Sequence, residues 1–191
     1  KQQNMKSNSR SILAFAAMLA GTITFAQERY ATKEGEIRFV SDTPMEKIEA
    51  VNHKTVAIFD VASGAVEMSA LIKGFEFEKA LMQEHFNENY MESNTFPKAV
   101  FKGKLIGFTA DMIKSPGKHE VTVEGELTMH GVTRKVSTKG TIGLDPAGPV
   151  KAACDLVVKP EDYGIKIPSV VRGQIAEEVK VNVRIDNFKK M

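Results

Sequence analysis

The chain has 191 residues, a single cysteine, and 26 Lys and Arg against 24 Asp and Glu, with 42% hydrophobic residues. This is the size of one domain, and one cysteine excludes an internal disulfide, so stability must come from a core. A near-neutral charge without Lys/Arg clusters argues against nucleic acid or an anionic membrane surface as partner.

The first segment carries Lys6 and Arg10, then the apolar run Ile12 to Phe25, then Ala26. That order reads as a secretory signal peptide over residues 1–26, the run being shorter than the roughly 20 residues a membrane-spanning helix needs. The expectation is therefore a domain over 27–191 with no stable membrane anchor after cleavage, in the periplasm or secreted. Lys1, Lys6 and Arg10 are the only charged residues of the segment, so the formal charge of the remainder is −1 against +2 for the whole.

Beyond it the dominant signal is alternation of apolar and polar residues, the mark of strands with one buried face. Runs at 35–41, 48–61 and 66–77 read as strands, separated by turn signals such as Ser63-Gly64. Over Lys79 to Ser93 the period changes: Met82, Phe86 and Tyr90 recur at four-residue spacing among Glu84, Asn87, Glu88 and Glu92, which predicts one amphipathic helix ending before Thr95-Phe96-Pro97. Residues 98–107 form the next strand. Val121, Val123, Leu127 and Met129 alternate with Thr122, Glu124, Glu126 and Thr128, and Val136, Thr138, Ile142 and Leu144 do the same on the far side of His130-Gly131. Residues 118–144 are thus a β-hairpin. After Asp145-Pro146-Ala147-Gly148-Pro149 comes a strand at 150–158, with Ala152, Cys154, Leu156 and Val158 on one face, which makes Cys154 a buried thiol. The cleanest run is last: Val179, Val181, Val183 and Ile185 alternate with Lys180, Asn182, Arg184 and Asp186. Many strands and one helix mean an all-β domain; sandwich and closed barrel both satisfy the pattern.

Catalytic motifs are absent. There is no G-x-S-x-G elbow, phosphate-cradling loop or dinucleotide fingerprint. His119-Glu120 is followed by Val123 where a zincin needs its second histidine, and His53, His85, His119 and His130 are widely spaced. The reading is a protein without cofactor or metal that is not an enzyme, with His85 and His130 making structural hydrogen bonds at the helix and the turn.

Four segments carry a more specific signal. Phe75-Glu76-Phe77 precedes Leu81 to Met91. Phe96-Pro97-Lys98-Ala99-Val100-Phe101 follows, then Gly125-Glu126-Leu127-Thr128-Met129-His130-Gly131-Val132-Thr133-Arg134, and finally Asp162-Tyr163-Gly164-Ile165 with the closing strand Glu178 to Val183. In this order they resemble the YceI-like family, also described as polyisoprenoid-binding or lipid-binding. The resemblance implies an all-β fold, an extended lipocalin-like antiparallel β-barrel with one amphipathic helix packed against it. It also implies export and an elongated apolar cavity suited to an isoprenoid or acyl chain.

In such a barrel Phe101, Leu105, Val121, Val123, Leu127, Met129, Ile142, Val181 and Val183 face inward by alternation, either lining a ligand cavity or filling a dry core. Phe86 and Tyr90 of the helix could close one end or simply pack. Arg134 is the candidate for an anionic head group, with a solvated surface arginine as its ordinary role. The expected function is an exported protein that holds a long-chain lipid or isoprenoid as carrier, scavenger or stress protein. The alternatives are a ligand-free barrel acting through its surface and, behind it, a lipid-processing enzyme. Homodimerisation through an exposed strand edge or the helix is compatible with the pattern.

Overall fold

A computed structural model describes residues 28–191; the expected signal peptide lies outside the described residues. Among the described residues ten strands form one antiparallel sheet: β1 (Arg29–Asp42), β2 (Lys47–Asp60), β3 (Ala65–Leu71), β4 (Glu76–Phe77), β5 (Lys98–Ile106), β6 (Gly117–Met129), β7 (Val132–Asp145), β8 (Gly148–Val158), β9 (Val179–Ile185) and β10 (Lys189–Lys190). Eight of them close on themselves in the order β1-β9-β8-β7-β6-β5-β3-β2, with β2 returning to β1. The short β4 and β10 extend β2 and β1. The protein is thus a closed barrel rather than a sandwich.

Local chemistry sets the turns. Between β6 and β7 only His130 and Gly131 intervene, both at positive φ (51° and 74°), the two-residue turn whose twist matches a hairpin. Between β1 and β2, Thr43 Oγ1 accepts the N–H groups of Met45 and Glu46. Between β2 and β3, Asp60 accepts both the N–H and the hydroxyl of Ser63.

Three expected elements differ. β1 begins at Arg29 rather than 35, because register shifts around Gly35 change which parity points inward: Tyr30 and Thr32 are buried before the shift, Ile37, Phe39 and Ser41 turn inward after it. The run at 66–77 is broken by a turn at Ile72–Gly74. Asn52 is fully buried and donates from Nδ2 to Leu71 O, and it sits so close to Gly74 that a Cβ there would stand 2.8 Å from Nδ2. The expected helix is confined to α1 (Ala80–His85), followed by a wide turn over Phe86–Tyr90, and the segment leaves helical conformation at Glu92, φ 44°.

The interior has two apolar clusters. One end is sealed by Tyr30, Phe59, Ile142, Leu144, Ile185 and Phe188, with Phe108 edge-on to Phe59 at 5.0 Å. At the other end Ile72, Met91, Val158, Tyr163 and Ile165 gather beneath the connections 72–97 and 159–178. Every long connection but 107–116 emerges at this second end, because β1, β3, β6 and β8 all run toward it. That asymmetry positions the site.

Candidate functional site

The space between the two clusters is a cavity of about 480 Å³, within the range of small-molecule sites. Small residues create it. Ala57, Ala70, Ala99 and Ala152 line it, where larger side chains would fill the barrel. On β5 and β6, Gly103 and Gly125 are directly paired. The ring of Phe101 lies over both, since a Cβ at either would meet its Cζ within 2.8 Å. Flattened against the wall in this way, Phe101 leaves the lumen open.

Of the residues expected to face inward, Phe101, Leu105, Val123, Leu127, Met129, Ile142, Val181 and Val183 line the cavity, joined by Phe86 and Tyr90 from the helical segment. Val121 does not. It is buried in the sealed end beside Leu105, Ile142 and Leu144, filling core rather than bordering space. Arg134 also stands apart. It is exposed, its Nε donates to Asp162 O over 2.9 Å, and it borders a separate outer cleft with Lys135, Lys159, Asp162, Tyr163 and Glu178.

The second end contributes residues that alternation could not reveal. Phe86 packs against Phe39, Phe75 and Phe77 with ring centroids 5.5, 5.7 and 5.0 Å apart, tying α1 and its following turn to β1 and β4. Phe75 and Phe77 were visible as apolar residues in the run at 66–77, but the turn that aims them at the helix was not. Ile165, Ile167, Val171 and Ile175 enter from the segment 159–178, which lacks any period.

The cavity is apolar and poor in charge. Among the described residues no Lys or Arg lines it; Glu46 is the one carboxylate there, paired with Lys79 at 3.4 Å, and His85 the one imidazole. Against expectation, His85 has no side-chain hydrogen bond among the described residues, because the last turn of α1 leaves it exposed beside the cavity rather than against a backbone acceptor. His130 does serve the turn: Nδ1 bonds Tyr163 O at 3.1 Å and Nε2 approaches Glu92 Oε1 at 3.3 Å. Cys154 lies on the lining, and burial, with the Asp155 carboxylate beside it, pushes its thiol up to about 11. A thiol held protonated in this way is a poor nucleophile. The chemistry available here is burial of an apolar chain.

Comparison with known proteins agrees with this geometry. The family model described as "YceI-like domain" matches residues 19–186. A UPF0312 protein of Pseudomonas putida strain GB-1 is 28% identical over 107 residues, 53% of this chain and 50% of that protein. One from Pseudomonas fluorescens SBW25 is 33% identical over 88 residues, 44% of each. The matches thus span about half the length of these curated relatives. Among solved structures, a polyisoprenoid binding domain from Saccharophagus degradans, implicated in plant cell wall breakdown, superposes with a TM-score of 0.68 at 13% identity, covering 85% of this chain and 99% of that one. BcnA of Burkholderia cenocepacia superposes with a TM-score of 0.66 at 18% identity, covering 79% and 94%. At these identities the likeness is one of fold.

Proposed function

The chain belongs to the YceI-like domain family, and from that premise we propose that it binds one long-chain amphiphile, a polyisoprenoid or fatty-acyl lipid, with the chain inside the barrel. In this reading it is an exported carrier or scavenger, acting in the periplasm or after secretion, and it performs binding rather than catalysis. The observation that carries the reading is the apolar cavity of about 480 Å³ in a closed barrel. Each methylene transferred into it from water contributes about 0.8 kcal/mol before the entropic costs of association. A chain of a dozen carbons therefore binds without any charged contact. The fold's likeness to a polyisoprenoid binding domain supports the same class of ligand. A tightly packed interior would favour a ligand-free barrel acting through its surface, whereas the cavity among the described residues supports the binding reading.

The test is native mass spectrometry of the protein purified from its own host, followed by organic extraction. The expected result is a stoichiometric prenyl or acyl compound. A protein that arrives empty and takes up no added long-chain lipid overturns the proposal.

A further inference from the structure

β7 and β8 are paired only from Gly140 and Cys154 to Asp145 and Gly148. Toward the His130–Gly131 turn, β7 stays paired with β6 as far as Val132, and β8 stays paired with β9 as far as Val158. The barrel wall is therefore split there between two strands, each held by its other neighbour. Side chains replace the missing ladder: Thr138 Oγ1 donates to Asp155 O at 2.6 Å, and Arg134 Nε donates to Asp162 O at 2.9 Å.

Val136 and Val158 border both the inner cavity and the outer cleft, so two valine side chains stand between them. The outer cleft, about 400 Å³ and open to solvent, carries Arg134, Lys135 and Lys159, cations not found on the cavity lining among the described residues, beside the carboxylates of Asp162 and Glu178. Lys159 is tied to Glu178 at 3.2 Å. Among the described residues Arg134 and Lys135 have no carboxylate within ion-pair distance, which leaves the guanidinium's remaining donors and one ammonium for a ligand. The cavity's own carboxylate, Glu46, lies on the β1–β2 turn away from the split, where Lys79 pairs with it.

We propose that the split between β7 and β8 is a lateral entrance, and that the cleft outside it seats the phosphate or carboxylate head of an amphiphile whose chain passes between Val136 and Val158 into the cavity. The proposal rests on the chain-binding reading above. Opening this wall breaks three side-chain hydrogen bonds, the third between His130 Nδ1 and Tyr163 O, and not a backbone ladder. An anionic head drawn into the cavity would lose its water without meeting a cation, whereas in the cleft it meets Arg134, whose fork matches oxyanions, and the point charge of Lys135.

The experiment titrates delipidated full-length protein with dodecyl phosphate, laurate and dodecanol, reading chain entry as protection of Cys154 from a thiol reagent. Both anions are expected to bind at least ten-fold more tightly than dodecanol at low salt. In the variant carrying Arg134→Glu and Lys135→Glu that ratio falls to about one; should the reversal not fold, Arg134→Gln with Lys135→Gln reads the same ratio. Thr138→Val is expected to speed association of all three probes. Dodecanol binding as tightly as the anions, or an anion preference that survives both double substitutions, overturns the proposal while leaving chain binding intact. Protection by none of the three overturns chain binding itself, and the lateral entrance with it.

Discussion

The ring of Phe101 lies across Gly125 of the neighbouring strand, its Cζ 2.8 Å from where a Cβ at that glycine would stand. The same Cβ would also collide with Lys102 O. Gly125→Ala is therefore expected to cost about 1–3 kcal/mol in urea denaturation, the usual penalty for forcing atoms into a packed site. Phe101→Leu in that background should recover only part of the loss, since the backbone contact remains. Full recovery would mean that the ring alone matters.

Ala152 lines the cavity between Cys154 and the sealed end. Ala152→Phe is expected to fill part of the space that a ligand chain needs. Bound lipid should fall several-fold by native mass spectrometry, while far-ultraviolet circular dichroism stays that of the barrel. Undiminished binding would place the chain elsewhere.

Cys154 reports on the same space without any substitution. Its thiol is raised from 9.0 to about 11, so at pH 8 the thiolate fraction is roughly 100-fold below that of an unperturbed group with that starting value. Labelling is expected to be slow at pH 8, to rise tenfold per pH unit and to level off near pH 11. Bound lipid should slow it further. A rate that levels off near pH 9 contradicts a buried thiol.

At the sealed end, burial alone would push the Asp60 carboxyl up. Hydrogen bonds from the Ser63 hydroxyl and N–H, with Arg29 Nε at 3.3 Å, more than offset this and hold it below the ordinary value. A depressed folded-state value contributes stability that is present above the unfolded carboxyl's range and lost as pH falls through the folded one. Asp60→Asn should thus cost roughly 1–2 kcal/mol at pH 7. The gap should begin to narrow as pH falls below the ordinary carboxylate value of about 4 and should close only as pH passes through the lower folded-state value. A melting-temperature difference unchanged at pH 3 would rule the charge out as its cause.

Phe86 anchors the helical segment through three other rings. Phe86→Ala is expected to cost about 2–4 kcal/mol and to speed release of a bound chain, because α1 and its following turn border the cavity. Stopped-flow displacement measures the release rate; an unchanged rate would mean that this end of the barrel does not limit exit.

Alternation made the barrel's strands legible wherever one face is wet and the other apolar. The β6–β7 hairpin and β9 were plain for that reason, and so was the inward set from Phe101 to Val183. It failed where parity changes mid-strand, as around Gly35, and where a buried side chain bends the backbone, as Asn52 does at Leu71. Val121 has the same signature as Val123. Which of the two borders empty space depends on what stands across the barrel, and no local pattern carries that. Most of the site's second end was out of reach. The segment 159–178 has no period because its apolar residues are placed by short turns, such as Pro160–Tyr163 closing on Gly164 at φ 72°. Arg134 drew notice by its type, but its separation from the lining follows from the end of β7–β8 pairing at Gly140 and Cys154.

β1 is hydrogen-bonded to β2 on one side and to β9 on the other, joining Glu36 to Arg184 and Val40 to Lys180. The ring is thus closed between its first strand in the chain and β9, and a piece lacking either cannot form it. Such long-range closure places folding among the slow, non-local class. Until β9 arrives, the outer edges of β1 and β8 stand open as templates for foreign strands. A chain cut after Val158 would be expected to aggregate rather than to yield a smaller barrel, and a nascent chain must be shielded until β9 is available.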